Sequence, residues 1–494
     1  MHPIGIGQPM RSKRILAIWI TLFFASFLDS PGAVFLPVNQ PEYQFIYDLS
    51  RRAEIAGRHH DYFFSVAPYN LEKANPNYPL SGLLFGTDNS HISTFAFFSD
   101  DFRSAKNERA RSYESIRGGV IARPHDRIFV YTNFLLDEKM HGDPGYTGKK
   151  WRGLAGEIEN SFIAYNAGNL DILLGRFSSC WGPAAQSLIF SSTARPMDAL
   201  SFRFQWKKIL FTYQFGKLSR TDTSGAFDNR FFAGHRIDFR PLGNLRIGLF
   251  ETVVFGGPGR TVDLTYLNPI MFYHAVQLNE NVDDNTFLGF DFDWYINNRH
   301  KLYGQLMVDD IQVDNEAVGD QEPDEIGYQI GFHSIDLFRR FDIRVEYLKI
   351  TNRTYNQKQP RNRYENRGAL IGHAFGPDGD RLEVAITRWF GIDQRCSLDL
   401  SYQRKGEGRY NDIWTEPWED YNGDYTEPFP TGVIEKRLKS SLQAAGFCKD
   451  LAFVNFEAGL EHIENFDNIS GENRTVPFVN LRFSLIFHHL LKID

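Results

Sequence analysis

The chain has 494 residues and a formal charge of −7, with 42% hydrophobic and 23% charged residues and a heavy load of 44 Phe, 22 Tyr and 41 Gly. That length suits two or three soluble domains or one large closed barrel, and the abundance of aromatic and turn-forming residues favours strands. After residue 30 no apolar run approaches the roughly 18 residues of a spanning helix, which excludes a helical membrane protein, and the acidic total offers no footprint for nucleic acid.

In chain order, Arg11, Lys13 and Arg14 precede "ILAIWITLFFASFL" (15 to 28) and the small-residue stretch "DSPGA", the pattern of a cleavable secretory signal over 1–32, cut after Gly32. The alternative, an uncleaved anchor, needs a longer run. Residues 33–90 are expected to form a small periplasmic segment, helical or irregular. Within "PEYQFIYDLSRRAEIAG" (41 to 57), Ile46, Leu49, Ala53 and Ala56 share one helical stripe, and Gly57 is a plausible stop. Cys180, Cys396 and Cys448 are odd in number and far apart, so they give neither a disulfide framework nor metal-ligand spacing.

From 91 to 494 the pattern is strand and turn. In "FLGFDFDWYI" (287 to 296), Leu288, Phe290, Phe292, Trp294 and Ile296 share one face of a pleated strand, while Gly289, Asp291, Asp293 and Tyr295 share the other. Similar alternation places strands near 91–99, 117–123, 127–136, 154–165, 169–176, 199–206, 208–218, 232–240, 244–254, 286–296, 300–310, 325–334, 341–350, 381–390, 396–404, 437–447, 451–462 and 475–487. Short connections such as "NAG" at 166 and "NNR" at 297 interleave with long ones at 137, 177, 219, 255, 311, 351, 405 and 463. An even count of eighteen with short–long alternation predicts an all-β, transmembrane antiparallel barrel, with tight periplasmic turns and long outer loops. Stacked β-domains or a propeller are the alternatives, and no fixed-period repeat supports the latter.

Two charges resist this scheme, because Arg176 and Glu251 fall on the apolar parity of their strands. At the bilayer midplane an Arg costs roughly 2–4 kcal/mol and a Glu less. Each is expected to be turned inward by a bulge, or to sit where its strand reaches the headgroups.

The blocks "GRFSSCWGPAAQSLIFSSTARP" (175 to 196), "HRIDFRPLGNLRIGLFETVVFGG" (235 to 257), "YLNPIMFY" (266 to 273), "DNTFLGFDFDW" (284 to 294) and "LYGQLMVDD" (302 to 310) resemble the capsule assembly Wzi family, in the family's order. The resemblance extends over residues 40 to 490. It implies an outer-membrane barrel, eighteen-stranded where known, that serves as a lectin-like attachment point for capsular polysaccharide. The expected partners are then a capsular or exopolysaccharide and outer-membrane lipid, with the chain a monomer and no enzyme.

A sugar-binding surface wants aromatic faces for the apolar side of a pyranose, flanked by planar hydrogen-bonding groups. The outer loop from 405 to 436 supplies Tyr410, Trp414, Trp418, Tyr421 and Tyr425 amid Asp412, Glu416, Glu419, Asp420 and Asp424. The glycan-binding candidates are Trp414, Trp418, Tyr421 and Tyr425, together with Trp181 and with Arg176, Arg195 and Arg236, whose guanidinium groups suit acidic sugars. Each has a plain structural alternative: the aromatics pack the loop, Trp181 folds into the lumen, and the arginines pair with lumen carboxylates. Asp283, Asp284, Asp309 and Asp310 lack the spacing of a calcium loop, adjacent His59 and His60 diverge, and no GxSxG, HExxH or P-loop occurs, so no metal, cofactor or catalysis is expected. The competing function is a porin-like diffusion channel for small solutes, with the same barrel left open.

Overall fold

The structure is a computed structural model that describes residues 33–492 except 58–61, 75–90, 107–108, 144–145, 224–225, 313–320, 422–424 and 450. The expected signal over 1–32 and the histidine pair at 59 and 60 lie outside the described residues. Eighteen strands close into one antiparallel barrel. They are β1 His91–Ala105, β2 Arg111–His125, β3 Ile128–Asp137, β4 Leu154–Ala167, β5 Leu170–Phe177, β6 Met197–Trp206, β7 Ile209–Lys217, β8 Ala226–Leu242 and β9 Leu245–Gly257, followed by β10 Asn285–Asn297, β11 His300–Asp310, β12 Glu325–Leu337, β13 Phe341–Ile350, β14 Gly379–Phe390, β15 Gln394–Lys405, β16 Glu435–Cys448, β17 Ala452–Glu464 and β18 Arg474–Lys492. Each strand pairs with its sequence neighbours, and β18 closes on β1 through a ladder from His91↔Lys492 to Ala105↔Phe478.

Eight turns of two or three residues mark one rim, and loops of five to 29 residues mark the other. One expectation fails in extent. The stretch 100–116 reads as a connection because charged and small residues break the apolar alternation there, yet β1 and β2 run on through it and leave only 106–110 between them. Of its polar side chains, those on the inward parity line the lumen, where Asp101 meets Arg482 through two 2.7 Å bonds.

The wall is inside-out. Phe290, Trp294 and Ile296 are 42%, 44% and 47% exposed, whereas Asp291 and Asp293 between them are 0% and 2% exposed. Leu174, Leu249, Ile330, Leu442 and Phe487, from strands all round the barrel, are likewise exposed. A belt of this kind in water would be an aggregation surface; in hydrocarbon it is the favourable arrangement. The inward carboxylates then need partners. Arg236 and Arg246 bracket Asp238 and Asp291, with Arg246–Asp238 at 2.7 Å and Arg236–Asp291 at 3.1 Å, and Asp293 joins Lys301 at 2.8 Å.

The helix predicted from the stripe at 41–57 is present as α1, Pro41–Ile55. Rather than capping the barrel from below, it is inserted in the short-turn end. Its Tyr43 stacks edge-on against Phe97 and Tyr131, and Phe45 packs on Trp389, Phe447 and Phe453. Its charges pair with the wall: Arg52 with Asp342 at 2.9 Å, Asp48 with Arg395 at 2.6 Å and Glu54 with Lys301 at 3.2 Å. Above the helix, the loop after β5 folds into the lumen, where Trp181 pairs with Val66 and packs on Phe190. Tyr355 and Tyr364, from the loop after β13, donate their hydroxyls to the Leu188 and Ile189 carbonyls at 2.6 and 2.7 Å and lock the two loops together.

Neither off-parity charge is turned inward by a bulge. Arg176 keeps its outward face at the outer end of β5, where Asp198 on β6 meets it through two 2.8 Å bonds. Glu251 also points outward, but the long loop after β9 folds down over it. The carboxylate accepts the Tyr273 and His274 N–H groups at 2.9 and 2.7 Å, at the start of a helix α2, Tyr273–Glu280. The free N–H groups and positive end of a helix are natural partners for a carboxylate, so lipid never meets the charge.

With α1 anchored on opposite walls, the protein reconstituted in planar bilayers is expected to pass no steady current, and a variant lacking residues 33–57 to conduct. Phe45→Ala, which removes a buried ring worth about 3–5 kcal/mol, should give intermittent openings.

Candidate functional site

On the outer rim, the loops after β13 and β15 are tied together by one carboxylate. Asp378 accepts the Gly408 N–H at 2.8 Å, the Thr431 N–H at 2.9 Å and the Thr431 hydroxyl. On this footing the aromatics of the second loop gather. Trp414 and Trp418 meet edge to face at 6.5 Å, Trp418 and Tyr425 lie 6.4 Å apart, and Tyr421 packs on Tyr425 at 5.5 Å. Arg353 lies over the Trp418 ring at 4.7 Å and pairs with Glu427 at 2.7 Å, while the Trp414 indole donates to Glu416 at 3.1 Å.

Beside this cluster lies a pocket of about 210 Å³, lined by Trp414 with Asn352, Arg353, Asn356, Arg409 and Thr431. One half-buried aromatic ring and several amide and guanidinium planes therefore converge on a single concavity at the outer face. Trp418 is buried and supports the site, whereas Tyr421 is half exposed at its edge. Lys358 reaches Glu416 at 2.9 Å, and that hydrogen bond holds the carboxyl below its ordinary range.

The eight candidates thus separate. Trp414, Trp418, Tyr421 and Tyr425 come together, and the others are scattered. Trp181 and Arg236 are fully buried, the first in the lumen core and the second in the ion network, so neither offers a face to a ligand from outside. Arg176 faces outward against Asp198, and Arg195 is engaged by Asp143. Asp283 and Asp284 are taken by Arg361 and Arg260, and Asp309 accepts the Tyr355 N–H, so these carboxylates do not gather; among the described residues no acidic, His or Cys cluster has metal-holding geometry. Asn352, Arg353, Asn356 and Arg409 were missed. For the first three, the Asn- and Arg-rich run "TNRTYNQKQPRNRYENRG" (351 to 368) was the available signal.

Residues 106–477 match the model of the capsule assembly protein Wzi family. The chain belongs to the Wzi capsule assembly family. Its fold is similar to that of Wzi from Escherichia coli, an outer membrane protein involved in group 1 capsule assembly and described as a carbohydrate-binding β-barrel, with a TM-score of 0.59, 16% identity, and coverage of 92% of this chain and 99% of that one. Weaker similarity reaches OccD3 of Pseudomonas aeruginosa (TM-score 0.45, 11% identity, 83% of this chain and 93% of that one). OccAB2 of Acinetobacter baumannii is comparable (TM-score 0.46, 12% identity, 82% and 99%). No curated protein sequence matches the chain. As a Wzi family barrel with an apolar belt, the protein resides in the outer membrane.

Among the groups around Arg353 is Glu322, whose carboxyl is pushed up to about 7, first by burial and then by the charge of Asp310. A carboxyl raised above its ordinary value of 4.5 favours the folded state while protonated and loses that contribution as pH climbs from 4.5 through 7. Thermal unfolding in detergent is expected to shift to lower temperature between pH 5 and pH 8, and Glu322→Gln to flatten part of that slope.

Proposed function

We propose that this Wzi family barrel is a non-catalytic attachment protein, which acts as a monomer in outer-membrane lipid and holds a capsular or exopolysaccharide with its outer loops. In this reading residues 1–32 direct export, 33–90 serve as the periplasmic-side plug segment and 91–494 form the barrel. The observation that carries the reading is the pocket beside Trp414, because an aromatic ring flanked by amide and guanidinium planes is the surface a pyranose recognises. A pocket of about 210 Å³ is smaller than the roughly 300–1,000 Å³ of drug-sized clefts, which suits one sugar unit of a polymer at a time. A repeating chain presents that unit many times, so modest contacts suffice for retention.

Carboxylates at the pocket have structural work that leaves little for acid–base chemistry. Glu407 accepts the Val433 N–H at 2.9 Å, and Asp412 accepts the Arg409 N–H at 2.7 Å. A lumen filled by α1 and by two inward loops favours a holder over a conduit.

Deleting the gene in its native host is expected to release polysaccharide from the cell surface while total polymer stays constant. Trp414→Ala should weaken polysaccharide binding by the purified protein about tenfold or more, equivalent to about 1.4 kcal/mol, whereas Arg176→Ala should leave it unchanged. Full retention of polysaccharide by the deletion strain would end this reading.

A further inference from the structure

The lumen opposite the aromatic core is not filled. A cavity of about 460 Å³ lies between α1 and the β11–β16 wall, and a second of about 760 Å³ opens at the outer ends of β1, β2 and β16–β18. Lys439 and Glu461 line both, so the two form one crevice from the outer rim down to α1. Eleven Arg and Lys side chains against five Asp and Glu line it, in a chain whose formal charge is −7. Seven of the eleven are already ion-paired, several of them with Glu54, Asp293, Asp336, Glu435 and Glu457 behind the lining.

Three of its guanidinium groups, those of Arg103, Arg109 and Arg344, form no ion pair with any described carboxylate, unlike the arginines of the network around Asp291. Arg344 points inward from β13, level with His333 on one neighbouring strand and Ala385 on the other. At the mouth, Arg103 and Arg111 stand directly opposite each other across β1 and β2, both on the inward parity. Guanidinium groups are suited to carboxylates, which they bind through two parallel hydrogen bonds. Between mouth and floor, Ser401, Gln403, Ser441 and Gln443 supply neutral hydrogen-bonding groups of the kind that hydroxyls require.

We propose that this crevice is a binding site for a carboxylate-bearing polysaccharide segment, which enters at Arg103 and Arg111 and ends at Arg344. The proposal rests on the polysaccharide reading and narrows it to acidic polymers, with the Trp414 pocket as a separate contact on the rim. Because α1 closes the far end, the segment is held and not passed through.

The test uses the full-length protein in detergent with oligogalacturonate as probe and its carboxyl-reduced form as the neutral counterpart. Oligogalacturonate is expected to bind at least tenfold more tightly than the reduced form and to weaken as salt is raised. Arg344→Gln and the double variant Arg103→Gln/Arg111→Gln should each lose tenfold or more, while Trp414→Ala keeps the acid-over-neutral preference. Arg103→Gln should also unfold at an unchanged temperature, since Arg103 pairs with no described carboxylate; a lower temperature would mark Arg103 as structural and overturn the proposal. Equal binding of acidic and neutral forms, no binding of either, or arginine variants indistinguishable from the parent would each overturn it as well. The broader attachment reading stands or falls separately, on the surface retention of native polymer.

Discussion

Hydrocarbon against the outer wall is the constraint from which the rest follows. Every strand must turn apolar side chains outward, so the centre of the molecule is where the wall's charges go. A charge in that enclosed space is tolerated only when paired and hydrogen-bonded, and removing one member of a buried pair costs about 3–5 kcal/mol. The run from Arg236 through Asp291, Arg246, Asp293 and Lys301 to Glu54 of α1 is one connected answer to that demand. It also explains how a short helix is held inside a wide barrel, for the same chain of ion pairs that satisfies the wall ends on the helix.

Filling divides the lumen into two unlike halves. One side is an aromatic core in which Tyr43, Tyr131, Trp181, Phe190 and Tyr364 join the helix, the loop after β5 and the loop after β13 to the wall. The other stays polar, hollow and basic. Loops that brace one another across the lumen present their remaining side chains outward, and there the Trp414 pocket forms. A rigid support beneath mobile polymer is what an attachment surface requires, because ordering the loops in advance removes that cost from binding.

Much of the barrel was legible in the sequence because tight turns punctuate it: two-residue connections at 168, 207 and 298 leave little freedom about where strands end. The reading failed where polarity lies. Residues 100–116 look like a loop only because charged and small residues break the apolar alternation there. Likewise the charges of α1 have no evident partners until the wall that pairs with them is known. Glu251 could not be resolved by parity, since its partner, the start of α2, comes from a loop that folds back over the outer face. At the candidate site, the aromatic cluster was readable because its members lie within twelve positions of one another, from Trp414 to Tyr425. Arg353 and Asn356 reach the same pocket from a different loop, and the opposed Arg103 and Arg111 depend on cross-strand register, which no single-strand pattern encodes.

The central claim, that lipid and not protein surrounds the outward side chains, is tested most directly by spin labels at positions 290 and 291 of a Cys-free variant in lipid bilayers. Dissolved oxygen should reach the label at 290 and a water-soluble nickel chelate should not, whereas the label at 291 should be shielded from both. A label at 290 open to the chelate, or shielded from oxygen as in a packed protein interior, would contradict the account.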